Sequence, residues 1–130
     1  MKTSNKKKYS FNEDIAIDVG FEESVMLDNI YFWINKNKSK SKVTHYHEGK
    51  FWMYSTVEKF TEQYPFWSSS QIRRILKNLK DNNYIETGEY NKWKPDRTKW
   101  YTVSPKGLSM LSDNNNGFVE NNNPGVVDFI

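Results

Sequence analysis

A chain of 130 residues, of which 36% are hydrophobic and 16% aromatic with five Trp, carries enough apolar surface for one core and little room for a second. Its 27% charged residues and mean hydropathy of −0.89 leave no run near the roughly 18 apolar residues of a membrane span, so no membrane partner is expected. The absence of cysteine removes disulfides, thiolate catalysis and Cys-ligated zinc, and the basic MKTSNKKKYS start is followed by no hydrophobic stretch, so a cytoplasmic protein is expected. The net charge of +3 understates how basic the body is: all 19 Lys and Arg lie at or before Lys106, and three of the 16 acids lie beyond it. A moderate basic excess of this kind suits nucleic acid, although it also serves plain solubility.

Residues 1–10 read as a flexible basic arm, residues 11–111 as one folded domain and residues 112–130, rich in Asn, as a disordered tail or linker. A short helix is expected over 12–19, stopped by Gly20. The next helix, EESVMLDNIYFWINKNK, is apolar nearly all round, with Val25, Phe32 and Trp33 on one side and Leu27, Tyr31 and Ile34 on the other. Such a helix either runs through the middle of the fold or turns one side to a partner. The polar NKNKSKSK has no period and reads as a loop, followed by a turn at Glu48-Gly49 and a short aromatic strand in KFWMYS. Ser55 with Glu58 three residues on makes a capping box for another helix, which Pro65 limits. Ser68 with Gln71 makes a second, opening a helix from Ser69 to about residue 82. Its Ile72, Ile75, Leu76 and Leu79 form the inner stripe, opposite Ser70, Arg73, Arg74 and Lys77. Strands over 84–90 and 99–103 then pair as a hairpin around NKWKPDR, and Ser104-Pro105 starts a brief last helix through Leu111.

The resulting class is α+β, mainly α, in the order of a winged helix-turn-helix with a short three-stranded sheet and a basic hairpin wing. Serines at a helix N-terminus suit phosphate, and arginines one turn further in reach base edges. The expected contacts with double-stranded DNA are therefore Ser69, Ser70, Arg73, Arg74 and Lys77 on the helix. Lys92, Trp93, Lys94, Arg97 and Lys99 are those of the hairpin. An amphipathic helix with Arg and Lys outside is more often an ordinary solvated face, and it is the basic hairpin directly after it that favours DNA. Trp93 divides evenly between packing in the hairpin and touching DNA.

Rival chemistry is sparse. His45 and His47 share a face if THYHEG is extended, but two ligands without a third make no metal site. Glu22 and Glu23 read as helix-start electrostatics rather than an acid/base pair. No phosphate loop or nucleophile motif occurs, so neither an enzyme nor a cofactor is expected.

The blocks DNIYFWINKN, EGKFWMYS, YPFWSSSQIRRILKNLKDNNYIETGEYNK and DRTKWY resemble the N-terminal winged-helix domain of replication-initiation and replisome-organiser proteins (DnaD-like) of Gram-positive phages and related mobile elements. The likeness spans roughly residues 9–103. It implies DNA binding in replication initiation, often as a homodimer or larger assembly, with a replication-machinery protein recruited by a further C-terminal domain. The chain departs from that pattern in the Asn-rich stretch, where the second domain would begin, so binding follows more directly than initiation. Two other functions fit the same fold: a transcriptional repressor, which uses the same surface, and a protein-interaction winged helix that modulates a host factor.

Overall fold

The computed structural model describes the backbone of residues 7–119 and the side chains of residues 7–112. Among them the chain is α+β, with five helices and two small antiparallel sheets.

Helix α1 (Glu13–Val19) starts where the Asn12 side chain accepts a hydrogen bond from the Ile15 N–H and ends at Gly20. At φ 128° Gly20 takes a conformation that favours glycine, and a Cβ there would meet a Glu23 carboxylate oxygen at 2.2 Å. The chain therefore turns at once into α2 (Phe21–Ser39). Asn12 N–H donates to Ser24 Oγ and Ser24 Oγ donates to the Asn12 carbonyl, both at 2.8 Å and buried, so the two helices are tied at the turn. Tyr9, expected in a loose arm, is docked: it packs on Tyr64 and Phe66, and its hydroxyl donates to the Gln63 carbonyl. Residues 1–6 of that arm lie outside the described residues.

Helix α2 is the centre of the fold. Val25, Met26, Leu27, Ile30 and Ile34 are buried, Tyr31 and Trp33 half-buried, and Phe32 stays 53% exposed. The helix ends at Ser39, one residue past the expected helix EESVMLDNIYFWINKNK. Near that end Asn37 is buried by a hydrogen bond from its Nδ2 to the Trp52 carbonyl (2.9 Å), which an apolar period cannot reveal. Lys36 and Lys38 sit at the negative end of the helix, where cations are favoured.

A 3-10 turn (Val43–His45) leads into a ribbon of β1 (Tyr46–His47) and β2 (Lys50–Phe51), reversed at Glu48 (φ 54°) and Gly49 (φ 78°). These paired positive dihedrals are those of a tight hairpin turn. The single expected strand is thus split between β2 and β3 (Met53–Ser55). Ser55 is paired with Lys99 in the sheet, so the cap of α3 (Val57–Gln63) falls to Thr56, which accepts from the Lys59 N–H, instead of Ser55.

Helix α4 (Ser69–Asp81) follows, then β4 (Ile85–Gly88), β5 (Lys99–Val103) and α5 (Pro105–Val119). The sheet order is β3-β5-β4, with Tyr54 opposite Trp100 and Ile85 opposite Val103. Helix α5 continues past the expected end at Leu111. Its start is fixed by Ser104 Oγ accepting from the Gly107 N–H, and backbone hydrogen bonds carry it into the Asn-rich run, which composition alone reads as a tail. Residues 120–130 of that tail lie outside the described residues.

The core lies between the helices and one face of the sheet, where Ile15, Met26, Leu27, Phe60, Ile75, Leu79 and Tyr84 are fully buried. At about 1.5–3 kcal/mol for each large apolar side chain taken from water, this layer supplies most of the stabilisation. The other face of the sheet is covered by the β1–β2 ribbon: Thr102 Oγ1 donates to the Phe51 carbonyl, and Trp52 and Trp100 are nearly buried among His47, Tyr54 and Tyr90.

Candidate nucleic-acid interface

The N-terminus of α4 is closed by a reciprocal cap. Gln71 N–H donates to Ser68 Oγ at 3.1 Å, and Ser68 N–H donates to Gln71 Oε1 at 2.9 Å. The Ser68 hydroxyl is thereby committed to the helix, leaving the N–H groups of Ser69 and Ser70 without an intrahelical partner. Ile72, Ile75, Leu76 and Leu79 are all buried, as their spacing predicts, which turns Ser70, Arg73, Arg74 and Lys77 outward.

These outward cations are not equivalent. Arg74 Nη2 lies 3.1 Å from Glu22 Oε1, and its Nη1 lies 4.0 Å from Glu23 Oε2. Glu23 is only 3% exposed, and its Oε2 also accepts from Asn78 Nδ2 at 2.8 Å. A carboxylate that deeply placed needs its partners, so Arg74 serves as a clasp between α2 and α4. Lys77 pairs with Asp81 at 2.7 Å one turn on, but both ends are exposed and such a pair is worth only about 0.3–0.5 kcal/mol, so Lys77 is readily released to another anion. Arg73 has no ion pair among the described residues, and neither has Lys80, an exposed neighbour that the sequence reading left out.

The hairpin loop, residues 89–98, is shaped by Asn91. Its Nδ2 donates to the carbonyls of Thr98 (2.8 Å) and Asp96 (3.3 Å), while its Oδ1 accepts from Trp100 Nε1 at 2.8 Å. Within it, Asp96 N–H donates to the Trp93 carbonyl, and Asp96 Oδ1 accepts from the Thr98 N–H. That bond to the backbone holds the Asp96 carboxyl below the usual carboxylate range. Lys92, Lys94, Arg97 and Lys99 are exposed, and none forms an ion pair among the described residues. Trp93 is 67% exposed and makes no ring contact among the described residues, so it does not pack in the hairpin.

The two histidines have other partners. His45 stacks on Tyr54 (5.0 Å, 13°), and His47 stacks on Tyr90 (4.1 Å, 4°) while its Nε2 lies 3.2 Å from the Thr44 carbonyl. Burial, followed by the nearby Lys42 and His47, lowers the His45 pKa. No group of three or more His, Asp or Glu among the described residues is placed to hold a metal ion, and no helix there is long and apolar enough to cross a membrane.

The site therefore splits into a helix face on which ion pairs occupy part of the charge and a loop whose cations form no ion pair among the described residues. The ionic bookkeeping between α2 and α4 was invisible to local pattern, because Glu22 and Arg74 are far apart in sequence. Compared with models of protein families, with curated proteins and with solved structures, the chain matches none.

Proposed function

We propose that this chain is a winged-helix protein that binds double-stranded DNA sequence-specifically and works in the replication initiation of a phage or mobile element. Helices α3 and α4 form the helix-turn-helix, α4 is the recognition helix, and the β4–β5 hairpin is the wing. The sheet order β3-β5-β4 and the succession of elements support this assignment. The observation that carries it is the wing loop: Lys92, Lys94, Arg97 and Lys99 held on a loop that Asn91 closes, with no ion pair to any of them among the described residues.

In this reading the Ser69 and Ser70 N–H groups and hydroxyls hold a phosphate at the start of α4, Arg73 reads a base edge in the major groove, and Lys77 exchanges Asp81 for the backbone. The wing cations contact phosphates, and Trp93 lies flat against the neighbouring groove. Arg74 positions α4 and contributes little to DNA. The replication role rests on the resemblance of the YPFWS, QIRRIL and DRTKWY blocks, and a second copy of the chain and a replication protein belong to it as partners.

Selection of bound duplexes from a random pool, near physiological salt, tests the function. Enrichment of one motif that also occurs within a replication origin is the expected result. Enrichment confined to promoters would make the protein a repressor. No enrichment, together with no duplex binding at low salt, would overturn the DNA reading in favour of a protein-interaction module.

A further inference from the structure

Behind the wing loop, on the sheet face away from the main core, a cleft of about 450 Å³ opens between the loop, the β1–β2 ribbon and the outer residues of β3 and β5. That volume lies in the range of roughly 300–1,000 Å³ usual for small-ligand sites. Its walls include the rings of His47, Tyr54, Tyr90 and Trp100, and its rim includes Lys92 and Asp96. We propose that this cleft takes one unpaired nucleobase of single-stranded DNA, stacked against its aromatic wall and read by the Asp96 carboxylate. The proposal rests on the DNA-binding reading for the phosphate contact of Lys92.

The rings are held in place before any ligand arrives. Trp100 is nearly buried and anchored by its Nε1 to Asn91, and Tyr54 lies 4.7 Å from it at 52°. Tyr54 is kept in orientation by the stacked His45 and is still 48% exposed. Tyr90 stands edge-on to Trp100 at 5.5 Å and 86°, fixed by its stack on His47. Rigid, partly exposed rings of this sort gain most from a flat, polarisable ligand, and stacking of that kind tolerates any base.

Charge narrows the ligand. An aromatic cage beside a carboxylate also suits a quaternary ammonium group. Lys92 at the rim repels such a cation and attracts an anion joined to the ring, which is the charge arrangement of a nucleotide. A base inside a duplex is covered on both faces by its neighbours and cannot enter, so the ligand is single-stranded or locally unstacked.

Hydrogen bonding narrows it again. The Asn91 amide is consumed by the loop and by Trp100, whereas an Asp96 carboxylate bonded through Oδ1 to the Thr98 N–H still has acceptor capacity and no proton to give. The base edge facing it must donate. Guanine offers two adjacent N–H donors, cytosine and adenine an amino group beside an acceptor, and thymine an imino N–H between two carbonyl oxygens that a carboxylate repels. Guanine is therefore preferred and thymine least favoured.

The test uses the full chain and a fluorescent oligothymidine of about eight nucleotides, with and without one central guanine, alongside a duplex. The guanine-bearing strand should bind several-fold tighter. Tyr54→Ala should weaken binding of both strands about ten-fold, within the range for losing one base stack, and leave duplex affinity unchanged. Tyr54→Phe should retain binding. Asp96→Asn, which keeps an acceptor for the Thr98 N–H, should erase the guanine preference without weakening the all-thymine strand. An equal affinity for the two strands in the unaltered chain, or an unchanged affinity in Tyr54→Ala, overturns the proposal, as does displacement of the strand by tetramethylammonium but not by deoxyguanosine monophosphate. Duplex binding without strand binding sinks the cleft proposal alone, strand binding without duplex binding sinks the duplex reading alone, and loss of both sinks both.

Discussion

At the scale of single residues, Asn91 decides whether the loop between β4 and β5 has a shape. Its side chain makes three hydrogen bonds, and a net value of about 0.5–1.5 kcal/mol for each makes Asn91→Ala cost about 1.5–4.5 kcal/mol. The loss should appear as faster amide exchange in 89–98, with exchange in α2 unaltered. Asp28 shows a burial cost of the opposite kind. Its Oδ2 accepts from Ser10 Oγ at 2.9 Å, yet burial outweighs that bond and raises its pKa above the usual 3.8. Above 3.8 the unfolded chain has released the proton that the folded chain still holds, so stability falls as pH rises through the interval up to the folded pKa and stays reduced at neutral pH. Asp28→Asn should therefore raise the melting temperature at pH 7 and have little effect below pH 3.8, a difference read by thermal unfolding across that range. Neither effect could be read from the chain alone, since Asn91 and Asp28 acquire their roles from Trp100 and Ser10.

At the scale of elements, α4 separates an arginine tied to α2 from one that is free of ion pairs among the described residues and is proposed to read DNA. Arg74→Ala should destabilise the fold measurably in denaturant, because Glu23 is left nearly buried with Asn78 as its remaining partner. Arg73→Ala should change stability by less than about 0.5 kcal/mol, as befits an exposed side chain with no ion pair among the described residues, and cost about 1–3 kcal/mol of sequence discrimination at one base pair. The reverse assignment in paired unfolding and binding measurements would exchange their roles. The legible parts of α4 were local: the Ser68–Gln71 cap and the i, i+3, i+4, i+7 stripe both lie within a few turns. The β1–β2 ribbon was not legible, because strands of two residues are too short to show a period. The burial of Asn37 near the end of α2 was not legible either, since it comes from a hydrogen bond to the distant Trp52 carbonyl.

At the scale of the whole molecule, the sheet divides the aromatic residues into a core on the helical side and a second cluster beneath the ribbon, and the loop of residues 89–98 connects β4 to β5 at its edge. That arrangement lets the loop carry charge that forms no ion pair among the described residues, because its shape is held by Asn91 and Trp100. The central claim is that these cations meet DNA phosphates. Its most direct test is the slope of log affinity against log salt for one duplex, measured for the unaltered chain and for Lys92→Ala/Lys94→Ala/Arg97→Ala. At roughly 0.9 per phosphate contact, the triple variant should show a slope shallower by about 2.7, with its preferred sequence retained. An unchanged slope would place the hairpin away from DNA and contradict the account.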